Sequence, residues 1–291
     1  MTLLQAIPPT ASPGILGQVT DKELRQFADL IYSRTGIRVS PQKKTLLSNR
    51  LRRRLRQTGI EGFGAYYDHL NRLPAAHPEW DAFLQEITTH ETYLFRDEQQ
   101  WAWFRNVYLD EVSAAARSGD RPKSLRIWSA ASSTGDEAYT AACCVADRLL
   151  NVSLWNVQIL GTDIGIGAVE QATAGVFGER AMRLVPEDYR RRFFTKARDA
   201  NLWQAKPAIR RLVSFRQHNL MGALRERPFD LVLLKNVLIY FDAASKKTVV
   251  DNVRSAIRPG GLLLAGAAEG IADYVRDFER LQPWRYRKYG N

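Results

Sequence analysis

Cysteine is nearly absent: the 291 residues hold only Cys143 and Cys144, and two adjacent thiols supply neither an ordinary bridge nor half of a zinc site. A disulfide-built secreted fold and a structural zinc module are therefore excluded, and the pair reads as small buried apolar residues of a reducing compartment. No stretch approaches the ~18 uninterrupted apolar residues of a membrane span, and the opening MTLLQAIPPTASPG has neither the basic flank nor the apolar run of an export signal. The expectation is a cytoplasmic protein without direct membrane insertion. Internal repeats and low-complexity tracts are also missing. So are the G-x-G-x-x-G fingerprint and the lysine of a Walker loop, which disfavours dinucleotides and nucleoside triphosphates.

What is present is a 45% hydrophobic chain with 42 basic residues against 31 acidic ones, a formal charge of +11. That content suits a packed globular core, and the length allows one large domain and a smaller one. The excess charge implies an acidic partner without choosing between nucleic acid, membrane surface and protein. Its placement is uneven. Ser40 to Thr58 holds seven Lys or Arg and no acid, and a second basic region runs from Arg180 to Arg216.

Residues 1–19 carry three prolines and no apolar periodicity, as in a flexible lead-in. Thr20 and Glu23 form a capping box ahead of Leu24, Phe27, Ala28 and Ile31, predicting a helix to about Ser33. Ser40-Pro41 opens a second helix ending near Gly59. There Leu47, Leu51 and Leu55 make one stripe, and Lys43, Arg50, Arg52, Arg53 and Arg56 sweep the remaining arc. Helices around Phe63–Arg72 and Glu79–Thr88 complete an all-helical N-terminal domain. From Leu125 the texture becomes α/β, with strands expected at Leu125–Ser129, Val157–Gly161, Leu212–Arg216, Phe229–Leu234, Leu262–Ala267 and Arg285–Tyr289. The long interval from about 178 to 211 suggests short antiparallel strands inserted into a Rossmann-like sheet. The expected divisions are 20–90 for the helical domain, a linker to about 105, and 106–291 for the α/β domain.

The strongest local signal is LRIWSAASSTGDEAYTAACCVADRL, a strand, a turn of small residues and an amphipathic helix. Small side chains let backbone approach a ligand, and the helix N-terminus presents unpaired amides; an ordinary tight turn reads the same way. A second strand ends in GTDIG, so Asp163 sits at a strand tip, where a carboxylate can accept from both ribose hydroxyls or simply cap a helix. Together the two segments favour an adenosine ligand. No spacing of metal ligands is present.

The segments TTHETYLFRDEQQW, WSAASSTGDEAY, LGTDI, FRQHNL, FDLVLLKNVLIYF and RPGGLLLAGAAEG follow one another as in the chemotaxis receptor methyltransferase family of CheR type, which the chain resembles from about Asp21 onward. The resemblance implies S-adenosylmethionine (SAM) as cofactor, S-adenosylhomocysteine as product, and glutamate side chains on the cytoplasmic methylation helices of chemoreceptors as substrate. It implies SAM contacts from His90, Thr92 and Arg96, the methionine amine on Asp136, the ribose on Asp163, the adenine beside Asn219 and Leu220, and contacts from Asn236 and Val237. Arg96 and Tyr240 are the candidates for positioning the substrate carboxylate. Arg50, Arg53, Arg54 and Arg56 would dock the acidic receptor bundle, with the protein acting as a monomer recruited to receptor arrays.

Several positions depart from the family pattern: His90 replaces Asn, Asp136-Glu137-Ala138 replaces Glu-Glu-Pro, and Lys235 replaces Arg. The inserted strands resemble the family's β-subdomain, which in some members captures a receptor C-terminal tail. The loop KARDAN lacks the glycines expected for that capture. A nucleic-acid methyltransferase and a non-catalytic SAM-binding adaptor are the alternatives. KNVLIYF, lacking the Asn/Asp-Pro-Pro motif of amino-methylating enzymes, speaks against nucleic acid as a partner.

Overall fold

Thr20 closes the reciprocal cap that the sequence predicts: its hydroxyl accepts from Glu23 N at 3.2 Å, and Glu23 accepts from Thr20 N at 2.7 Å. The computed structural model describes residues 17–198 and 201–290. Residues 1–16 of the expected lead-in, and Asp199 and Ala200 of KARDAN, lie outside the described residues.

The helical part consists of α1 (Asp21–Thr35), α2 (Lys44–Thr58, preceded by a 3-10 turn at Pro41–Lys43), α3 (Phe63–Arg72) and α4 (Pro78–Ile87). Phe27, Ile31, Leu47, Leu51, Leu55, Tyr66, Leu70 and Phe83 form its core. Helices α5 (Glu98–Trp103) and α6 (Leu109–Ser118) follow, joined by a π-helical turn at Phe104–Tyr108.

The α/β part begins with β1 (Ser124–Ala130), α7 (Asp136–Arg148), β2 (Asn156–Asp163) and α8 (Ile166–Ala174). Next come β3 (Val176–Gly178), α9 (Glu179–Met182), α10 (Glu187–Phe193), β4 (Phe194–Lys196), β5 (Leu202–Ala205) and α11 (Pro207–Arg210). The chain ends with β6 (Val213–Gln217), β7 (Phe229–Leu234), α12 (Ala243–Ala256), β8 (Ile257–Ala265), β9 (Phe278–Gln282) and β10 (Arg285–Lys288).

The main sheet runs β6-β2-β1-β7-β8-β10-β9, parallel from β6 to β8 and antiparallel at β10 and β9. Period-two alternation splits its side chains between two cores. Ile127, Leu231 and Leu233 pack beneath α6 and α7, while Trp128, Val232 and Leu234 pack against α12. The expected insertion is a separate antiparallel sheet, β3-β5-β4, starting two residues earlier than the sequence suggested. Among the described residues no helix is long and apolar enough to cross a membrane.

Strand β9 was not expected, because only Phe278 of its five residues is buried and an exposed, charged edge strand has little apolar signal. Strand β8 starts five residues earlier than predicted, at Ile257. Phe229 pairs with Ile257 but Leu231 pairs with Leu262, so Arg258-Pro259-Gly260-Gly261 bulges from the ladder.

Candidate functional site

Parallel strands end together, so the loops after β1, β2 and β7 converge at one edge of the sheet. There they line a cavity of about 1390 Å³, including its open mouth, whose other walls come from α1, α2 and the linker after α4. Asp163 joins the two segments that matter most. Its carboxylate accepts from Ser133 N at 2.8 Å and from Gly165 N at 2.9 Å, tying the SAASSTGD turn to the tip of β2. Ala131 and Ser133 adopt φ of 62° and 52°, and Gly135 opens α7 at φ 87°. A Cβ on Gly135 would lie 2.8 Å from Ala172, so that turn needs glycine for both its backbone angle and its space.

The linker after α4 also reaches the cavity. His90 and Thr92 line the cavity, with His90 Nε2 2.6 Å from Thr88 Oγ1 and Nδ1 3.5 Å from Asp163. Burial lowers the His90 pKa, nearby Arg50 adds to that, and Asp163 opposes it. Arg96 reaches the cavity between two residues at positive φ, Phe95 at 59° and Asp97 at 67°. Phe95 is held there by burial and by its N–H on Thr140 Oγ1, a strained turn that fixes where Arg96 points. Arg96 is not the ion-pair partner of Asp97, which bonds to Lys235 at 2.9 Å. Among the described residues its guanidinium has no carboxylate partner, and it lies near the Tyr93 ring.

After β7, Asn236 adopts φ 57°, and the amides of Val237 and Leu238 donate to Glu269 at 3.2 and 2.7 Å. This buried carboxylate braces the turn that presents Asn236, Val237 and Tyr240 to the cavity. Asn219 and Leu220 also line it. The Asn219 side chain, however, is engaged structurally: its amide donates to Arg34 O at 2.8 Å and its oxygen accepts from Met221 N at 3.0 Å.

Two sequence expectations need correction. Asp136 does not line the cavity; it is 1% exposed, accepts from Thr134 Oγ1 at 2.6 Å, has no partner for its other oxygen among the described residues, and burial raises its pKa to about 6. Its neighbour Glu137 lines the cavity instead, because consecutive helical residues diverge by about 100°. Glu137 accepts from Ser129 Oγ at 2.7 Å and pairs with Lys235 at 3.5 Å. Burial pushes its pKa up, while Lys235 and Ser129 hold it down.

Arg54 is the second correction. Its guanidinium bonds to Glu79 of α4, with 12% and 11% of the two side chains exposed, and Glu79 also accepts from the Tyr66 hydroxyl at 2.6 Å. Seven residues after Leu47, Arg54 returns to within about 20° of the leucine stripe and so faces inward. Arg53 pairs with Glu86, Arg50 turns into the cavity and donates to Thr89 Oγ1 at 2.9 Å, and Arg56 faces solvent opposite Leu47.

The polar lining suits a nucleoside with a charged tail. Ser132 Oγ and His218 Nε2, both cavity residues, are buried without partners among the described residues, apolar walls come from Ile31, Leu46 and Leu220, and Glu137 offers an anionic contact.

The comparisons agree with that geometry. Residues 90–286 match the family described as CheR methyltransferase, SAM binding domain, and residues 22–88 match CheR methyltransferase, all-alpha domain. The Chemotaxis protein methyltransferase of Klebsiella aerogenes is 32% identical over 264 residues, covering 89% of this chain and 87% of that protein. Chemotaxis protein methyltransferase 2 of Pseudomonas aeruginosa is 32% identical over 272 residues, at 90% and 93% coverage. The Escherichia coli Chemotaxis protein methyltransferase is 30% identical over 264 residues, at 89% and 88%. With both domain matches in chain order and a SAM-type cavity at the strand tips, this chain belongs to the CheR methyltransferase family.

Proposed function

We propose that the protein esterifies glutamate side chains on the cytoplasmic methylation helices of chemotaxis-type receptors. What carries this reading is Arg96, a guanidinium free of carboxylate partners among the described residues and aimed by a strained turn into the cavity that Asp163 organises.

SAM supplies an electrophilic methyl on a sulfonium. The incoming glutamate has a reference pKa near 4.3, so at neutral pH its carboxylate is already the nucleophile and no general base is needed. A carboxylate oxygen bonds to the methyl carbon as the carbon–sulfur electron pair returns to sulfur, giving a methyl ester and a neutral thioether. Arg96 and the Tyr240 hydroxyl orient that carboxylate in line with the methyl. Asp163 takes the ribose, Glu137 rather than Asp136 takes the methionine ammonium, Leu220 and the Asn219 loop flank the adenine, and His90, Thr92, Asn236 and Val237 complete the seat. Arg56 and the half-exposed Arg53 attract the acidic receptor bundle, and Arg50 guards the mouth. The reading includes a cytoplasmic monomer recruited to receptor arrays, and the three-stranded sheet is assigned no receptor tail.

The test is methyl transfer from labelled SAM into receptor cytoplasmic fragments, with RNA and DNA as controls. Label released as methanol by mild base identifies an ester. Arg96→Ala should lower transfer roughly a hundredfold, the value of a charge-assisted hydrogen bond, while retaining receptor binding. Wild-type binding of receptor without any transfer would replace the enzyme with a SAM-binding adaptor.

A further inference from the structure

At the opposite end of the sheet, beneath the N-terminal ends of β7 and β8, lies a second cavity of about 650 Å³ including its mouth. It exists because the Arg258–Gly261 bulge leaves the ladder: β8 spends five residue steps where β7 spends two. Gly260 takes φ 71° there, and a Cβ on Gly261 would lie 2.9 Å from Arg258 O and 3.1 Å from Asp230 O. The facing wall is the π-helical turn and α6, which deliver Tyr108 and Glu111.

Three arginines, Arg121, Arg258 and Arg287, line this space. Asp230 already accepts from Arg126 N at 2.8 Å, Arg121 Nη2 at 3.1 Å and Arg258 Nε at 2.8 Å. Against Asp230 and Glu111 the arginines leave one net positive charge. Among the described residues Arg287 has one carboxylate contact, a half-exposed one with Glu279 at 3.7 Å. Among the described residues neither the Tyr108 hydroxyl nor Arg121 Nε makes a well-formed hydrogen bond, although the Arg121 guanidinium lies close enough to the hydroxyl oxygen to lower its pKa against the effect of burial, and Tyr108 is 7% exposed. Burial raises the Tyr108 pKa, so its hydroxyl keeps its proton and can donate. Unpartnered buried donors are costly and rare, and both of these belong to residues lining one cationic cavity.

We propose that this cavity binds an oxyanion of single negative charge, a carboxylate or a phosphodiester, with Tyr108 and Arg121 donating from the floor and Arg287 from the rim. The site shares no lining residue with the SAM cavity, so it stands or falls independently of the methyl-transfer reading.

The test is calorimetric titration of the full chain with acetate and with dimethyl phosphate at constant ionic strength, using chloride as control. Saturable heat with either anion is expected, and the anion that binds identifies the source chemistry. Tyr108→Phe, which keeps the ring, and Arg287→Ala at the rim should each weaken binding about tenfold or more, with SAM affinity unchanged as proof of folding. Equal response to chloride, no saturable heat, or binding indifferent to both variants overturns the proposal and leaves a cavity that holds water alone.

Discussion

Replacing Asp136 and Glu137 one at a time, as Asp136→Asn and Glu137→Gln, separates two adjacent acids that the sequence could not tell apart. Glu137 lines the cavity and Asp136 does not. If Glu137 takes the methionine ammonium as proposed, removing that charge-assisted contact should cost about 1.5–3 kcal/mol, so Glu137→Gln should weaken SAM about ten- to hundredfold in calorimetry. Asp136→Asn should change it less than about threefold.

The same pair should diverge in stability. Burial raises the Asp136 pKa from the usual 3.8 to about 6, so the folded state holds the extra proton between those values. The favourable contribution is complete below about 3.8 and is lost as pH rises through about 6. Two pKa units correspond to about 3 kcal/mol as an upper limit. Asp136→Asn, which has no charge to lose, should therefore gain stability over wild type between pH 4 and pH 7.5 in urea unfolding. Loss of SAM affinity in Asp136→Asn but not in Glu137→Gln, or an unchanged stability difference across that pH range, would refute the assignment.

Other outcomes follow from the geometry. Arg54→Ala strands Glu79 in a buried position and should cost about 3 kcal/mol in urea unfolding, whereas exposed Arg56→Ala should stay within about 0.5 kcal/mol and instead reduce receptor-fragment binding most at low salt. Because His90 is partly buried with a lowered pKa, the unfolded chain takes up a proton first as pH falls below about 6.5, so wild type should lose stability there and His90→Asn should flatten that loss in paired unfolding curves at pH 7.5 and 5.5. Glu269→Ala frees the amides of Val237 and Leu238 and should weaken SAM binding without touching the cofactor, read by calorimetry beside a thermal melt.

Much of this architecture is legible in residue order because the informative signals are local. The Thr20–Glu23 cap, the Phe63–Arg72 helix and the Phe229–Leu234 strand are set by capping chemistry and apolar runs, and they fall where expected. The misses are places where tertiary context decides. Arg54 looks like one more cation on a basic face until α4 brings Glu79 against it. The Pro259-Gly260-Gly261 turn signals conceal a bulge inside β8, and β9 has too little buried surface to announce itself. At the site, GTDIG and the small-residue turn reveal a nucleoside seat, while Glu269 carries no local mark, since its role depends on amides some thirty residues upstream.

The cavity wall drawn from both halves of the chain has a thermodynamic consequence. A molecule seated there touches Leu46 and Arg50 on one side and Asp163 and Asn236 on the other, so its binding energy belongs to neither half alone. At a hundredfold excess over its Kd such a ligand adds about 2.7 kcal/mol to whichever opening would release it. Saturated protein should then melt in a single cooperative step. Without ligand, the four-helix cap keeps its own small core and the seam contacts, among them the Arg38 amide on Tyr240 O at 2.9 Å, Asn219 on Arg34 O at 2.8 Å, Gln217 on Asp81 at 2.6 Å and the Ala168 amide on Gln85 at 3.1 Å, and should loosen at a lower temperature than in the saturated protein, making cofactor supply a control on how firmly the helical cap is held.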